Sequence, residues 1–267
     1  MMSVKIITSP SNPMIKDIKA LEMRKRRKET GLFLVEGLRS VLEGVELDST
    51  LKYVAFHAES ANKPELQICI DACEKRKGVA LEVTSEILAK LSNKDNPQSV
   101  IGVFEQRFSS LKAVDPKSAK CWVVLEQIRD PGNLGTIIRT IDAIGADGVI
   151  LIDQCCDPYS VEAVRASMGS IFAIRIVQTS REDFIKWRAG WTGDVIGTTL
   201  QSSVDFREIK PQSPLLLIMG NEQAGLSEAL RDVTTSCIRL PMNGRADSLN
   251  LSVATGICLY AMMEPWK

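Results

Sequence analysis

Three polar clusters, each following an apolar run, hold most of the residues of this 267-residue chain that could do chemistry. The first is Asp130-Pro-Gly-Asn-Leu-Gly-Thr-Ile-Ile-Arg139. Its Gly132 and Gly135 lack the third glycine of a dinucleotide fingerprint, and no Gly-Lys-Ser/Thr follows, so nucleotide hydrolysis and hydride transfer are disfavoured. Asn133 and, two turns further on, Arg139 can approach one side of a crevice, where Arg139 offers a fixed charge and planar donors suited to phosphate. Taken alone, Arg139 reads more plainly as a surface arginine on an amphipathic helix. The second cluster is Gly220-Asn-Glu-Gln-Ala-Gly-Leu-Ser227. A strand-to-helix turn capped by Ser227 explains both glycines but not Glu222, a carboxylate at a strand end. The third runs from Leu240 through Met242, Ser248, Leu249 and Asn250 to Ala254, an irregular polar loop feeding a last helix that either Ser248 or Asn250 can cap. Polar loops this long after buried strands more often bind something than merely connect.

What is missing narrows the chemistry further. His57 is the only histidine, which removes multi-histidine metal sites and most histidine acid–base schemes. The seven cysteines contain no Cys-x-x-Cys pair, so they read as free, mostly buried thiols rather than a zinc or disulfide framework. No metal is expected. Acidic and basic residues balance at 33 each, a weak argument against a nucleic-acid partner. The distribution reverses that argument: Lys16–Lys28 holds seven basic residues against Asp17 and Glu22, enough local charge to engage phosphates. A solvated helix face explains the same run equally well. No apolar run approaches the roughly 20 residues that span a bilayer. The N-terminal residues lack an apolar signal core, so a cytoplasmic protein is expected.

The elements that must position these clusters alternate between strand and helix. Ser11 or Asn12 with Pro13 starts a basic helix over Met14–Lys28. Strands at 31–37, 51–56, 79–83 and 99–105, the last after a turn at Asn96-Pro97, alternate with helices at 38–43, 64–77 and 85–91. Residues 1–106 therefore form a small α/β domain, and the polar stretch 107–120 reads as a linker. From residue 121 to 267 the alternation continues, with strands at 121–125, 148–152, 173–177, 194–199, 215–219 and 238–240 and a last helix at 251–263. Such a pattern implies a parallel sheet covered on both faces, with its ligand crevice at the carboxyl ends of the strands, where all three clusters lie.

The clusters, in this order and spacing, resemble the three motifs of the SpoU (TrmH) family of RNA 2′-O-ribose methyltransferases, most closely at Asn133, Arg139, Gly220-Asn-Glu222 and Ser248-Leu-Asn-Leu-Ser252. The likeness spans about Cys121 to Met263. Phe33, Glu36-Gly37, Asn96-Pro-Gln and Val100–Phe104 also resemble the L30e-like RNA-binding domain that many members carry, as in the bacterial 23S ribosomal RNA enzymes. The resemblance implies a trefoil knot, a homodimer, an RNA substrate, ribosomal rather than transfer RNA, and the cofactor S-adenosyl-L-methionine (AdoMet). It places Thr198, Gly220, Leu240, Met242 and Leu249 at the cofactor and Asn133, Arg139, Glu222, Ser248 and Asn250 at the active site. Asp247, before Ser248, departs from the family's usual residue there. The N-terminal domain, with Lys16, Arg24, Lys25 and Arg27, would grip RNA. The competing reading is a non-catalytic RNA-binding ribosome-assembly factor with a vestigial knot domain, which has no physical need for the complete set of polar motif residues.

Overall fold

The start of the first helix follows its local chemistry: Asn12 Oδ1 accepts the Met14 N–H at 2.9 Å, and Pro13 occupies the first helical position. In the computed structural model, residues 4–92, 98–199, 203–221 and 224–263 are described; the turn at Asn96-Pro97 lies outside them. The chain divides into two units, one of residues 1–106 with 157–173 and one of residues 107–156 with 174–267.

The first unit runs β1 (Lys5–Ile7), α1 (Pro13–Ala20), α2 (Arg24–Thr30), β2 (Leu32–Glu36), α3 (Leu38–Glu46), β3 (Leu51–Phe56), α4 (Pro64–Lys75), β4 (Val79–Val83), α5 (Ser85–Ser92) and β5 (Val100–Glu105). Its sheet has the order β1-β4-β3-β5-β2, with β5 antiparallel to both neighbours and β1, β4 and β3 mutually parallel. The single basic helix expected over Met14–Lys28 is two helices. Leu21, Glu22 and Met23 each donate to the carbonyl three residues back, tightening the chain into a turn that buries Leu21 in the core. The break frees the Leu21 and Glu22 carbonyls, and the Arg27 guanidinium donates to both, at 2.8 and 2.7 Å.

The second unit holds β6 (Cys121–Glu126), α6 (Pro131–Ile144) and β7 (Gly148–Ile152). Residues 157–173, with α7 (Val161–Ser167), then belong to the first unit, where Tyr159 and Phe172 stack on Phe33 with ring centroids 4.5 and 5.8 Å away. The chain continues through β8 (Arg175–Thr179), α8 (Arg181–Arg188), β9 (Val195–Thr198), β10 (Val204–Asp205), β11 (Leu215–Met219), α9 (Glu228–Arg231), β12 (Ser236–Arg239) and α10 (Leu251–Met263). These strands form a seven-stranded, wholly parallel sheet in the order β10-β12-β9-β11-β6-β7-β8. Strands β6, β7 and β11 are buried along their whole length, which is why they read as unbroken apolar runs rather than alternating ones. The stretch expected as a linker is packed instead. Leu111 and Val114 join the apolar cluster around Trp122, Phe184 and Leu216, and Ser109 bridges to Val177 of β8.

Candidate functional site

Where β12, β9 and β11 end side by side, their carboxyl ends and the loops that follow enclose a cavity of about 470 Å³. Thr198 closes β9, and its hydroxyl donates back to the Ile218 carbonyl of β11 at 3.3 Å. Met219 and Gly220 close β11, Ile238 and Arg239 close β12, and Leu240, Met242, Ser248 and Leu249 supply the facing wall from the long polar loop. Leu251 and Ala254, in the first turn of α10, complete it. Hydroxyls and strand-end backbone line one part of this wall, and Leu226, Ile238, Leu240, Met242 and Leu249 give the rest an apolar surface suited to a flat heterocycle.

The loop after β11 is fixed by its own sequence. Asn221 and Gly225 exchange backbone hydrogen bonds at 3.0 and 2.9 Å, closing a turn in which Gly225 has φ +69°, a conformation that favours glycine. Gly220 lies so close beneath that turn that a Cβ on it would overlap the backbone of Gly225 and Leu226. The two glycines thus have distinct reasons: one is conformational and the other is close approach. Ser227 then caps α9, a single turn, as the sequence indicates.

Asn250 joins two of the three clusters. Its Oδ1 accepts the N–H groups of Ser252 and Val253 at 2.9 and 3.3 Å and the Ser252 hydroxyl at 2.6 Å, so Asn250 rather than Ser248 caps α10. Its Nδ2 donates to Asn133 Oδ1 at 2.8 Å. Asn133 is in turn held by its backbone N–H, which donates to Asp130 Oδ1 at 2.6 Å, the cap of α6. Capping and bridging therefore use opposite ends of one amide side chain. Helix α6 packs against α10, and Arg139 is exposed two turns along α6, outside the cavity lining. Glu222 lies outside the described residues.

The signature of the SpoU rRNA Methylase family matches residues 120–260, more than half of the chain. The chain belongs to this family. Residues 12–102 match the MRM3-like substrate binding domain. The 23S rRNA (guanosine(2553)-2′-O)-methyltransferase RlmP of Bacillus subtilis is 30% identical over 96% of this chain and 98% of its own. An AdoMet-bound rRNA methyltransferase of Sinorhizobium meliloti has 44% identity and a TM-score of 0.91, covering 97% of both chains. The SpoU methyltransferase AviRb of Streptomyces viridochromogenes, also solved with AdoMet, has a TM-score of 0.81 at 27% identity, covering 95% of this chain and 98% of that one.

All five positions that the resemblance assigns to the cofactor, Thr198, Gly220, Leu240, Met242 and Leu249, line this cavity at the strand ends, together with Ser248 from the active-site set. The basic patch needs correction. Lys16, Arg24 and Lys25 are exposed, but Arg27 is 4% exposed and pairs with Asp157 at 2.8 Å while donating to two carbonyls. A guanidinium so enclosed has no face left for RNA. Sequence reasoning also passed over Asn221, whose amide pins the loop after β11 to the Gln127 carbonyl at 2.8 Å, and Asp130, the cap of α6. Asp130 had a legible signal, an aspartate directly before proline at a helix start. Asn221 stood within the Gly220-Asn-Glu222 motif, but nothing local pointed to its task, because its partner is 94 residues away.

Proposed function

We propose that this SpoU chain transfers a methyl group from AdoMet to a ribose 2′-hydroxyl of RNA, with ribosomal RNA as substrate. The observation that carries the reading is the convergence of Thr198, Gly220, Leu240, Met242, Ser248 and Leu249 on one cavity, coupled through Asn250 to Asn133. The residues present fit the cofactor: the cavity has hydroxyl and backbone partners for polar groups, an apolar wall, and at Gly220 a backbone packed directly against that of Gly225 and Leu226, which also line it. When bound, AdoMet supplies a methyl group on a sulfonium, already an activated electrophile. The chain is left with alignment and with a weakly acidic hydroxyl proton.

Each side chain has a task within that division. Asn250 holds the polar loop, the start of α10 and Asn133 in one arrangement, so Ser248 is presented from a fixed backbone. Arg139, an exposed guanidinium, clamps a phosphate next to the target ribose, and a non-bridging oxygen of that phosphate takes the departing hydroxyl proton. Arg139→Ala is expected to lower kcat by at least tenfold with cofactor affinity intact. Glu222 completes the set at its motif position. Lys16, Arg24 and Lys25 of the first unit contact RNA phosphates.

The same reading includes a homodimer, a trefoil knot formed as the polar loop passes over the strand ends into α10, and a cytoplasmic location. Val253, Ile257 and Tyr260, spaced along one face of α10, are 50%, 38% and 39% exposed, an apolar strip suited to a second copy. Among the described residues no helix is long and apolar enough to cross a membrane, and no cluster of metal-ligating side chains occurs. The non-catalytic assembly-factor reading is disfavoured because Thr198, Gly220, Leu240, Met242, Ser248 and Leu249 line one cavity and Asn250 ties Asn133 to its polar loop. The test is incubation of the pure protein with methyl-tritiated AdoMet and unmodified ribosomal RNA. Label in the RNA is expected; cofactor binding without transfer to RNA or to ribosomal precursor particles would support the assembly factor instead.

A further inference from the structure

The end of β6 carries a buried carboxylate that the cavity itself does not use. Glu126 is 3% exposed. Its Oε1 accepts the Arg181 Nε–H at 3.0 Å and lies 3.0 Å from Arg181 Nη2 in an ion pair, and its Oε2 accepts the Ser227 N–H at 2.9 Å. Arg181 is held in turn by Asp153, whose two oxygens take its guanidinium at 3.0 Å and its backbone N–H at 2.9 Å. The next residue, Gln127, sits at φ +52°, unusual for a side chain of its kind, and its carbonyl accepts the Asn221 amide at 2.8 Å.

Two consecutive residues, the last of β6 and the one that follows it, therefore anchor Asn221 and Ser227: Gln127 holds Asn221 and Glu126 holds Ser227. Between these two anchors lie Ala224, Gly225 and Leu226, which form cavity wall. A buried ion pair is weak evidence for stability, since apolar residues of the same volume often serve a core as well. What an ion pair adds is direction: the carboxylate is fixed by Arg181 on one side and can meet only a donor on the other. We infer that Glu126 and Arg181 are positioning residues for the cofactor, setting the height of Ala224, Gly225 and Leu226 against Gly220; this rests on the reading that the cavity holds AdoMet.

The test measures AdoMet affinity by titration calorimetry, KM for AdoMet against kcat, and thermal unfolding, for the full-length protein and three variants. In Glu126→Gln an NH2 group must face either Ser227 N–H or the guanidinium, donor against donor. Arg181→Met removes the guanidinium, which is itself about a third exposed and so leaves a foldable variant. Arg181→Lys keeps the charge without the paired donors. Glu126→Gln and Arg181→Met are expected to raise the Kd and KM for AdoMet about tenfold or more with kcat little changed, the scale set by hydrogen bonds to charged groups. Arg181→Lys should fall between Arg181→Met and wild type. The inference is overturned if both variants bind AdoMet as the wild type does. It is equally overturned if affinity falls only in step with loss of folding and Arg181→Lys recovers nothing. Absence of AdoMet binding to the wild type would instead remove the functional reading on which it stands.

Discussion

Arg27 separates two accounts of the basic N-terminal segment, because it is the one member of the run that the structure encloses. Replacing it with Met removes the hydrogen bond to Asp157 at 2.8 Å and the donors to the Leu21 and Glu22 carbonyls, while keeping much of the side chain's apolar bulk. Breaking one side of a buried ion pair costs about 3–5 kcal/mol. Asp157 is 14% exposed and recovers some water, which puts the expected loss at the low end, about 3 kcal/mol. For chains of this size that corresponds to a fall in melting temperature of about 6–12 °C. Asp157→Asn, which strands the guanidinium instead, is expected to fall by a similar amount. Scanning calorimetry reads both, and a double Arg24→Ala, Lys25→Ala variant is the control: it should melt with the wild type yet bind ribosomal RNA more weakly, with a shallower salt dependence. The reasoning is refuted if Arg27→Met melts with the wild type while losing RNA affinity and salt slope, because Arg27 would then be an RNA contact and not an internal brace.

Three further outcomes follow from the geometry. Asn250→Ala removes the cap of α10 and the bridge to Asn133 together, and should cost about 1 kcal/mol in a thermal melt. The same variant should lower methyl transfer at least tenfold, and unchanged turnover would show that the bridge plays no part in the reaction. Gly220→Ala drives a Cβ into the Gly225 backbone, so calorimetry should find AdoMet binding abolished while RNA affinity is kept. Burial pushes the Cys69 and Cys155 thiols up to about 11 and those of Cys73 and Cys258 up to about 12, with Cys121 also well above the usual range. A raised thiol pKa keeps the unreactive protonated form through pH 8, so a disulfide reagent should titrate only the half-exposed Cys156 and Cys237 quickly, and all seven after denaturation. More than two fast thiols in the native protein would contradict the burial of the other five.

Elements whose signal is local were the ones the sequence could show. The continuous apolar runs of β7 and β11 and the capped apolar stretch of α10 fall on the residues their patterns indicate. Short edge strands β1 and β10, of three and two residues, carry no pattern long enough to read. The break between α1 and α2 was hidden because charge and apolar spacing run on through Leu21–Met23, and the reason for stopping there is tertiary: Leu21 turns inward and Arg27 satisfies the freed carbonyls. Within a run of seven like charges nothing distinguishes the buried arginine from its exposed neighbours, because its partner Asp157 is 130 residues away. Six of the cavity-lining residues, Thr198, Gly220, Leu240, Met242, Ser248 and Leu249, were legible through motif resemblance. The support beneath it, Glu126 to Arg181 across 55 residues and Glu126 to Ser227 across 101, was not, because those pairings exist only once the sheet has brought the strand ends together.

The central claim is that the acceptor is a ribose 2′-oxygen of RNA, and alkaline hydrolysis of the labelled product tests it most directly. Base-catalysed cleavage of RNA needs the free 2′-hydroxyl as nucleophile, so a 2′-O-methyl group protects the adjacent phosphodiester. After transfer from methyl-tritiated AdoMet to ribosomal RNA and complete alkaline digestion, the account predicts label in alkali-resistant dinucleotides. Label recovered in mononucleotides would place the methyl group on a base and contradict it.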